Sequence, residues 1–349
     1  MRAVVIHAPH DVHVEERSIP EPASGEALLR VRAVGLCGSD LHAFEGTQPF
    51  FRYPEVPGHE VVADVIRLSP APDPVPAVPG RVQERRPEVG DRVALDPSLP
   101  CGRCYPCRKG RYNCCANMRV LGVHAPGALA EYFVAPAACL HVLPSGVSDE
   151  LGVLAEPVSI GCQANNRGRL RAGERCLIIG AGAVGLSVLM VARARGAECA
   201  VSDPCLSRLA VARELGAALT LDPTRDDLAQ ALADFTGGDG PAVVFEVVGR
   251  PDTLEQAVEL VAASGRVVQL GLCSAPLSFA GNAFVKKELD LLGSRLHGGT
   301  MPEAVRLLAD GNVQPQRLIT HELSLGQALT GLRLMAEHPD EVVKVVLKP

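Results

Sequence analysis

The spacing Cys101-x2-Cys104-x2-Cys107-x7-Cys115 puts four thiols within fifteen residues and constrains this chain more than any other feature. The N-terminus, Met1-Arg2-Ala3-Val4-Val5-Ile6, lacks a signal-peptide layout and reads as a first strand, so the cluster is expected to be a metal site rather than a disulfide ladder. Thiolates bind zinc tetrahedrally, and Cys-x2-Cys steps let successive turns aim sulfur at one point. Pro100, Gly102, Pro106 and Gly110 supply the kinks such a knuckle needs. Four protein ligands leave no open position, which predicts a structural zinc in a lobe over residues 96–116. Cys114 competes with Cys115 for the fourth place, and Cys115 is preferred.

At 349 residues the chain is long enough for two domains and a large core. Its net charge of -6 offers no general basic face to nucleic acid. Arg103, Arg108, Lys109 and Arg111 do cluster beside the cysteines, but no Cys/His-anchored recognition helix follows. They are read as a solvated lobe surface or a subunit contact. The longest uncharged run, Cys176 to Ala192, carries three glycines in a turn pattern and is shorter than a membrane span, so it reads as strand, turn and helix. Twelve cysteines without a signal peptide predict a reducing, cytoplasmic setting.

The texture changes near Leu151. Before it, short apolar runs broken by Pro and Gly (Ala27–Val34, Val61–Leu68, Arg92–Leu95 and Ala130–Val134) predict an all-β region. After it, strand candidates at Cys176–Ile179, Glu198–Ser202, Ala242–Val247 and Arg266–Leu270 alternate with helical stretches such as Val184–Arg195 and Leu206–Leu215. That alternation predicts a parallel sheet with helices on both faces. Helices are expected at Met301–Asp310 and Leu325–Glu337, and a last strand at Lys344–Leu347. Ser69–Glu88 holds six prolines and reads as a surface loop insertion.

Gly180-Ala181-Gly182-Ala183-Val184-Gly185 is G-x-G-x-x-G, directly after Leu177-Ile178-Ile179 and at the start of a helical pattern. The first glycine permits the tight turn, the second lets a pyrophosphate approach the backbone, and the third lets helix and strand pack closely. Asp203 ends the following strand, where a carboxylate accepts a ribose 2′-hydroxyl and repels a 2′-phosphate, which favours NAD over NADP. Arg208 lies nearby and is positioned to stack on adenine or assist a phosphate.

Elsewhere Cys37-Gly38-Ser39-Asp40-Leu41-His42 is placed on a loop after the strand Leu28–Val34, followed by Gly58-His59-Glu60 and, at a helix start, Glu156-Pro157. Together they offer Cys, His and carboxylate, the mix expected for a zinc with an exchangeable position.

These five motifs, in this order, resemble the zinc-dependent medium-chain dehydrogenases over essentially the whole chain. The resemblance implies an α/β architecture. A GroES-like β-barrel catalytic domain would comprise 1–152 and 294–349, and a Rossmann NAD-binding domain 153–293, with the active site in the cleft between them. It implies two zinc ions per chain and NAD. Cys37, His59 and Glu60 would hold the catalytic zinc, with Glu156 direct or through water. Ser39 would carry the alcohol proton outward and His42 take it further, while Asp40 would be hydrogen-bonded near the ligands. Gly180, Gly182, Ala183, Val184, Gly185, Asp203, Arg208, Val248, Leu270 and Leu272 would contact the cofactor.

Glu156 stands where the polyol branch has Glu and the classical alcohol dehydrogenases have Cys. The stretches Phe50–Glu60, Leu121–His124 and Gly293–Leu296 are similar to bacterial hexonate dehydrogenases, which oxidise L-galactonate or L-gulonate at C5. His124 and Arg295 are the substrate candidates, since a guanidinium holds hydroxyls or a carboxylate. Ala43 replaces the Tyr that sorbitol dehydrogenases carry after the first motif. The expected partner is thus a small sugar acid or polyol, with no nucleic acid and no membrane. The alternatives are a sorbitol/xylitol-type or threonine-type dehydrogenase, or a sensor that binds NAD and zinc. A homodimer or homotetramer is implied by the resemblance alone.

Overall fold

The computed structural model describes residues 1–70 and 78–349. The chain divides into two units. The first is Met1–Glu156 with Gly298–Gly311 and Ile319–Pro349; the second is Pro157–His297 with Asn312–Leu318. The limits expected at 152/153 and 293/294 lie earlier than these, and the sequence had no signal for the transfer of Asn312–Leu318 to the second unit. A helix, Ala155–Gly168, runs across the first limit, with Pro157 in its first turn, where a missing N–H costs nothing.

The first unit is built on a seven-stranded sheet. Its order is Ile319–Ser324, Lys344–Lys348, Glu26–Leu36, Glu60–Leu68, Arg92–Leu95 and Leu140–Val142, with Tyr132–Pro136 also paired to Glu26–Leu36. All of these pairings are antiparallel except Ile319–Ser324 with Lys344–Lys348. The chain's last strand therefore lies against one of its first, with Val346 opposite Gly35. Val34, Leu36, Val61, Leu129 and Val345 bury this sheet's inner face.

The second unit carries a six-stranded sheet whose pairings are all parallel. Its order is Leu219–Leu221, Glu198–Ser202, Arg175–Ile179, Val243–Glu246, Arg266–Gln269 and Asp290–Gly293. Numbered by sequence this is 3-2-1-4-5-6, the doubly wound order with a switch point at its centre. Central strands are buried on both faces, so Cys176-Leu177-Ile178-Ile179 is apolar throughout rather than alternating. Arg266–Gln269, whose edge exposure the sequence left open, lies inside the sheet; the edges are Leu219–Leu221 and Asp290–Gly293.

Three local expectations are corrected. The stretch Cys37–His42 is no loop: Gly38–Glu45 is a helix with Cys37 as its N-cap, because the Asp40 carboxylate three residues on accepts the Cys37 amide at 2.8 Å. The strand foreseen at Ala130–Val134 runs Tyr132–Pro136, with Ala130 in an isolated bridge to Ala3. Leu325–Glu337 is a 3-10 turn, Leu325–Gln327, then a helix, Ala328–Glu337. Of the proline-rich stretch, residues 71–77 lie outside the described residues. No helix among the described residues is long and apolar enough to cross a membrane.

Lys348 closes the terminal strand by donating to Glu150 at 2.9 Å and Glu322 at 2.8 Å. The Lys348 bond lowers the Glu150 carboxyl to about 2. A carboxylate depressed on folding stabilises above its ordinary pKa and loses that contribution as pH falls. Acid unfolding followed from pH 5 to pH 2 should therefore flatten in Glu150→Gln. The loss at neutral pH should be about 1 kcal/mol, since the pair is partly solvated.

Candidate active site

In the first unit, helix and strand ends bring Cys37, His59 and Glu60 together, with one ligand atom from each within 4.8 Å of the others. Cys37 caps its helix, His59 follows the turn at Gly58, and Glu60 begins the strand Glu60–Leu68. Asp40, 1% exposed, ties these elements together. One carboxylate oxygen accepts the Cys37 amide and the other the Gly58 amide at 3.2 Å. Gly58 has φ 96°, a conformation that favours glycine.

Every charge here is buried. Burial raises the Asp40 carboxyl, partly offset by His59. Burial alone would lower the His59 imidazolium, but Asp40, Cys37 and Glu156 together outweigh it and hold the pKa well above its ordinary value. His59 Nδ1 is buried without a hydrogen-bond partner, 3.9 Å from the Asp40 carboxylate. An orphaned imidazole nitrogen among a thiol and two carboxylates fits a bound cation.

Glu60 has a second partner that the sequence reading missed. Lys344 Nζ, on the last strand and 3% exposed, lies 2.7 Å from both Glu60 oxygens and 3.1 Å from the Leu36 carbonyl. Gly35 makes room for this carboxylate, because a Cβ there would collide with it. The available signal was a Lys directly before the apolar run Val345–Leu347. Glu156, buried in the helix Ala155–Gly168, acts electrostatically on His59 and Lys344 but lies outside the 4.8 Å set. Ser39 Oγ is buried and lacks a hydrogen-bond partner. His42 is exposed, with Nδ1 3.0 Å from Thr47 Oγ1. His124, half-buried, accepts the Val120 amide at Nδ1 and stacks on Phe50.

The second cluster gathers Cys101, Cys104, Cys107 and Cys115, again within 4.8 Å, and leaves Cys114 out. Cys104 Sγ lies 3.4 Å from Cys107 Sγ and 3.7 Å from Cys115 Sγ. A tetrahedral zinc with bonds of about 2.3 Å separates its sulfurs by about 3.8 Å, so the cage is of zinc size. Amides from Arg103 and Cys104 lower the Cys101 thiol to about 6, whereas burial pushes Cys107 up to about 12. A shared dication is what lets such unequal thiols ionise together.

In the second unit Gly180 has φ 104°, and a Cβ on Gly185 would collide with the Gly180 carbonyl, so helix and strand need glycine there. A Cβ on Gly182 would meet nothing within 4 Å. Packing does not demand that glycine; the space suits a ligand. Ala183 and Val184 open the helix Ala183–Ala194. Asp203, buried, accepts the amides of Ala181 at 2.7 Å and Cys205 at 2.8 Å, which pins the glycine turn to the next strand. It lines a cavity of about 360 Å³ with Gly180, Val248, Thr224 and Arg250. The sequence reading missed Thr224 and Arg250. Gly249 and Gly271 pack backbone to backbone and bring the turns of Val248 and Leu272 together, and both side chains are exposed. Leu270 and Arg208 are half-buried. Arg295 is exposed and belongs to the second unit, not to the catalytic part expected from sequence.

The alcohol dehydrogenase GroES-like domain family matches residues 23–145, and the zinc-binding dehydrogenase family matches 183–310. Starvation-sensing protein RspB of Escherichia coli is 32% identical over 349 residues, covering 99% of each chain. L-galactonate-5-dehydrogenase of Escherichia coli is 34% identical over 328 residues, 92% of this chain and 91% of that one. The crystal structure of RspB from E. coli CFT073 with NADH superposes with a TM-score of 0.91 at 31% identity, covering 100% of this chain and 99% of that one.

Two outcomes separate packing from binding. Gly185→Ala should cost several kcal/mol in thermal or urea unfolding, roughly the scale of overpacking against backbone, whereas Gly182→Ala should stay within about 0.5 kcal/mol of the parent. In metal-free protein, Lys344→Met should cost about 3–5 kcal/mol, because Glu60 is left as an unpaired buried charge. Unfolding with and without zinc should show the metal recovering part of that loss; equal losses in both states would contradict a carboxylate shared with the metal.

Proposed function

The chain belongs to the zinc-type medium-chain alcohol dehydrogenase family, with a GroES-like domain and a Rossmann-like parallel-sheet domain, and on that premise we propose that it oxidises a secondary alcohol of a sugar acid. The product is a ketone, and the hydride passes to NAD. The observation that carries the chemistry is the buried set Cys37, His59 and Glu60 with its orphaned imidazole nitrogen. We assign the metal chemistry to the first unit and cofactor binding to the second.

Cys37, His59 and Glu60 would hold the catalytic zinc, and Cys101, Cys104, Cys107 and Cys115 the structural one. The bound zinc supplies Lewis acidity to the alcohol oxygen, and the nicotinamide supplies a hydride acceptor. Asp40 fixes the angle between the Cys37 and His59 turns. Ser39 Oγ, with no competing partner, takes the alcohol proton, and the exposed His42 carries it toward water. Lys344 keeps the Glu60 carboxylate from drifting. Asp203, which lines this cavity, would accept a ribose 2′-hydroxyl and repel a 2′-phosphate.

The L-galactonate/L-gulonate type is favoured by Glu156 and by the likeness to L-galactonate-5-dehydrogenase. Arg295 and His124 are the groups assigned to the carboxylate and hydroxyls. A sorbitol/xylitol-type or threonine-type substrate would use the same machinery. The likeness to RspB, a starvation-sensing protein, keeps a sensing role as a second reading. The edge strand Asp290–Gly293, with Leu291 and nearby Val285 exposed, is the face we assign to a homodimer or to the pairing within a homotetramer. All twelve cysteines are free, which suits a reducing cytoplasm.

Initial rates of NADH formation by zinc-loaded protein across L-galactonate, L-gulonate, other aldonates, sorbitol, xylitol, threonine and ethanol test the substrate class. Preference for an aldonate is expected, and preference for a neutral polyol or threonine overturns the sugar-acid reading. Cys37→Ala should lower kcat/KM by about a thousandfold or more while NAD binding persists. Wild-type turnover in that variant would remove the catalytic-zinc assignment. Absence of turnover on every substrate, with NAD and zinc still bound, favours the sensor.

A further inference from the structure

Residues 78–88, the described end of the proline-rich stretch, are built into the four-cysteine lobe rather than looped away from it. Gly80, at φ 83°, is wedged between two backbones: a Cβ on it would collide with the Gly110 carbonyl, and a Cβ on Gly299 would collide with the Gly80 carbonyl. Arg81 turns inward, its side chain 9% exposed, and its guanidinium lies 2.9 Å from the Asp96 carboxylate, itself 1% exposed. It donates to the Ser98 carbonyl and sits 5.1 Å over the Tyr112 ring. Tyr112 donates its hydroxyl to Asp96 at 3.3 Å, and its carbonyl accepts the Cys115 amide at 2.9 Å. Beyond Arg81, Gln83 donates to the carbonyls of Ala137 and Leu140 at 2.9 and 2.7 Å, Glu84 pairs with Arg306, and Arg85 clasps Asp91 with two bonds.

The charges explain why this is more than loop packing. A guanidinium taken out of water is costly unless it is paired and hydrogen-bonded. Burial opposes the Arg81 charge, and Asp96, Cys139 and Tyr112 together outweigh it. Asp96 is the one acidic residue in the stretch Asp96–Val120, and although that stretch holds five cations of its own, the buried guanidinium against it is Arg81, from outside the lobe. Tyr112 belongs to the short turn Tyr112–Cys114 that delivers Cys115 to the sulfur cluster.

We propose that Arg81 is a positioning residue for the lobe's metal. Residues 78–88 act as a strap that fixes Tyr112, and through it Cys115, so that the lobe's hold on its ion depends on a side chain remote in sequence from every cysteine of the cluster. The metal half of this inference rests on the structural-zinc reading; the strap itself does not.

Two measurements on full-length protein decide it, made with Arg81→Met and Arg81→Lys. The first is zinc release to a chelator in a Cys37→Ala background, so that the lobe is the zinc source. The second is limited trypsin cleavage at the exposed Arg103, Arg108, Lys109 and Arg111. Arg81→Met should release zinc and be cut within the lobe about tenfold faster or more, with Arg81→Lys in between, because the buried Asp96 carboxylate loses its guanidinium. Cleavage confined to the lobe separates a lost strap from general unfolding, which would expose the second unit's arginines as well. If the parent lobe holds no zinc, the structural-zinc reading fails and the trypsin pattern alone decides the strap. Lobe cleavage at the parental rate in Arg81→Met overturns the proposal. If Arg81→Met does not fold, Arg81→Lys carries the same comparison.

Discussion

The structure turns on an imbalance of buried charge. Around one point in the first unit lie the carboxylates of Asp40 and Glu60, the thiol of Cys37 and the nearby carboxylate of Glu156, against the single cation of Lys344 and an imidazole. Acidic groups outnumber fixed cations, and every carboxylate among them is buried. Such a cluster persists only if something positive completes it: a proton on His59, or a metal in its place. The raised His59 pKa and its unpartnered Nδ1 are two expressions of this one deficit.

Topology makes that cluster possible. Its members come from a helix cap, a turn, a strand start and the last strand of the chain, and the antiparallel sheet brings them to one place. Asp40 is the hinge of the arrangement, since a single side chain satisfies the amides of Cys37 and Gly58 and faces His59. The second unit solves a different problem with a different device. A parallel sheet places the strand ends of Arg175–Ile179 and Glu198–Ser202 side by side, and Asp203 fastens the glycine turn across them. One unit concentrates charge; the other leaves a space bordered by backbone.

What was legible in the sequence follows from how local each signal is. The four-cysteine cage, the glycine turn and Asp203 are set by short spacings, and a few residues suffice to specify each geometry. The helix at Gly38–Glu45 was hidden because its cap is a cysteine, not a residue of ordinary capping preference, and the Asp40 that completes the box was being read for chemistry. Lys344 was invisible for the opposite reason: its partner Glu60 is 284 residues away, and no local pattern announces a pairing of that range. Arg81 lies in a stretch whose prolines suggested an exposed loop, while the carboxylate that buries it comes from a different part of the chain. The placement of Arg295 with the second unit likewise depends on which strand the chain has just left, which periodicity does not convey.

The return of the last strand to the first sheet has a consequence for how the molecule is made. Apart from Asn312–Leu318, the second unit is one continuous stretch, able to collapse as it leaves the ribosome. The first unit begins earlier but waits: its sheet stays open beside Glu26–Leu36 until Lys344–Lys348 arrives. Lys344 follows the whole second unit in sequence, so the buried carboxylate of Glu60 has no counter-charge until after that unit has been synthesised. The order of synthesis and the order of completion are thus reversed, and a chain truncated before Lys344 would have the second unit assembled and the first unfinished.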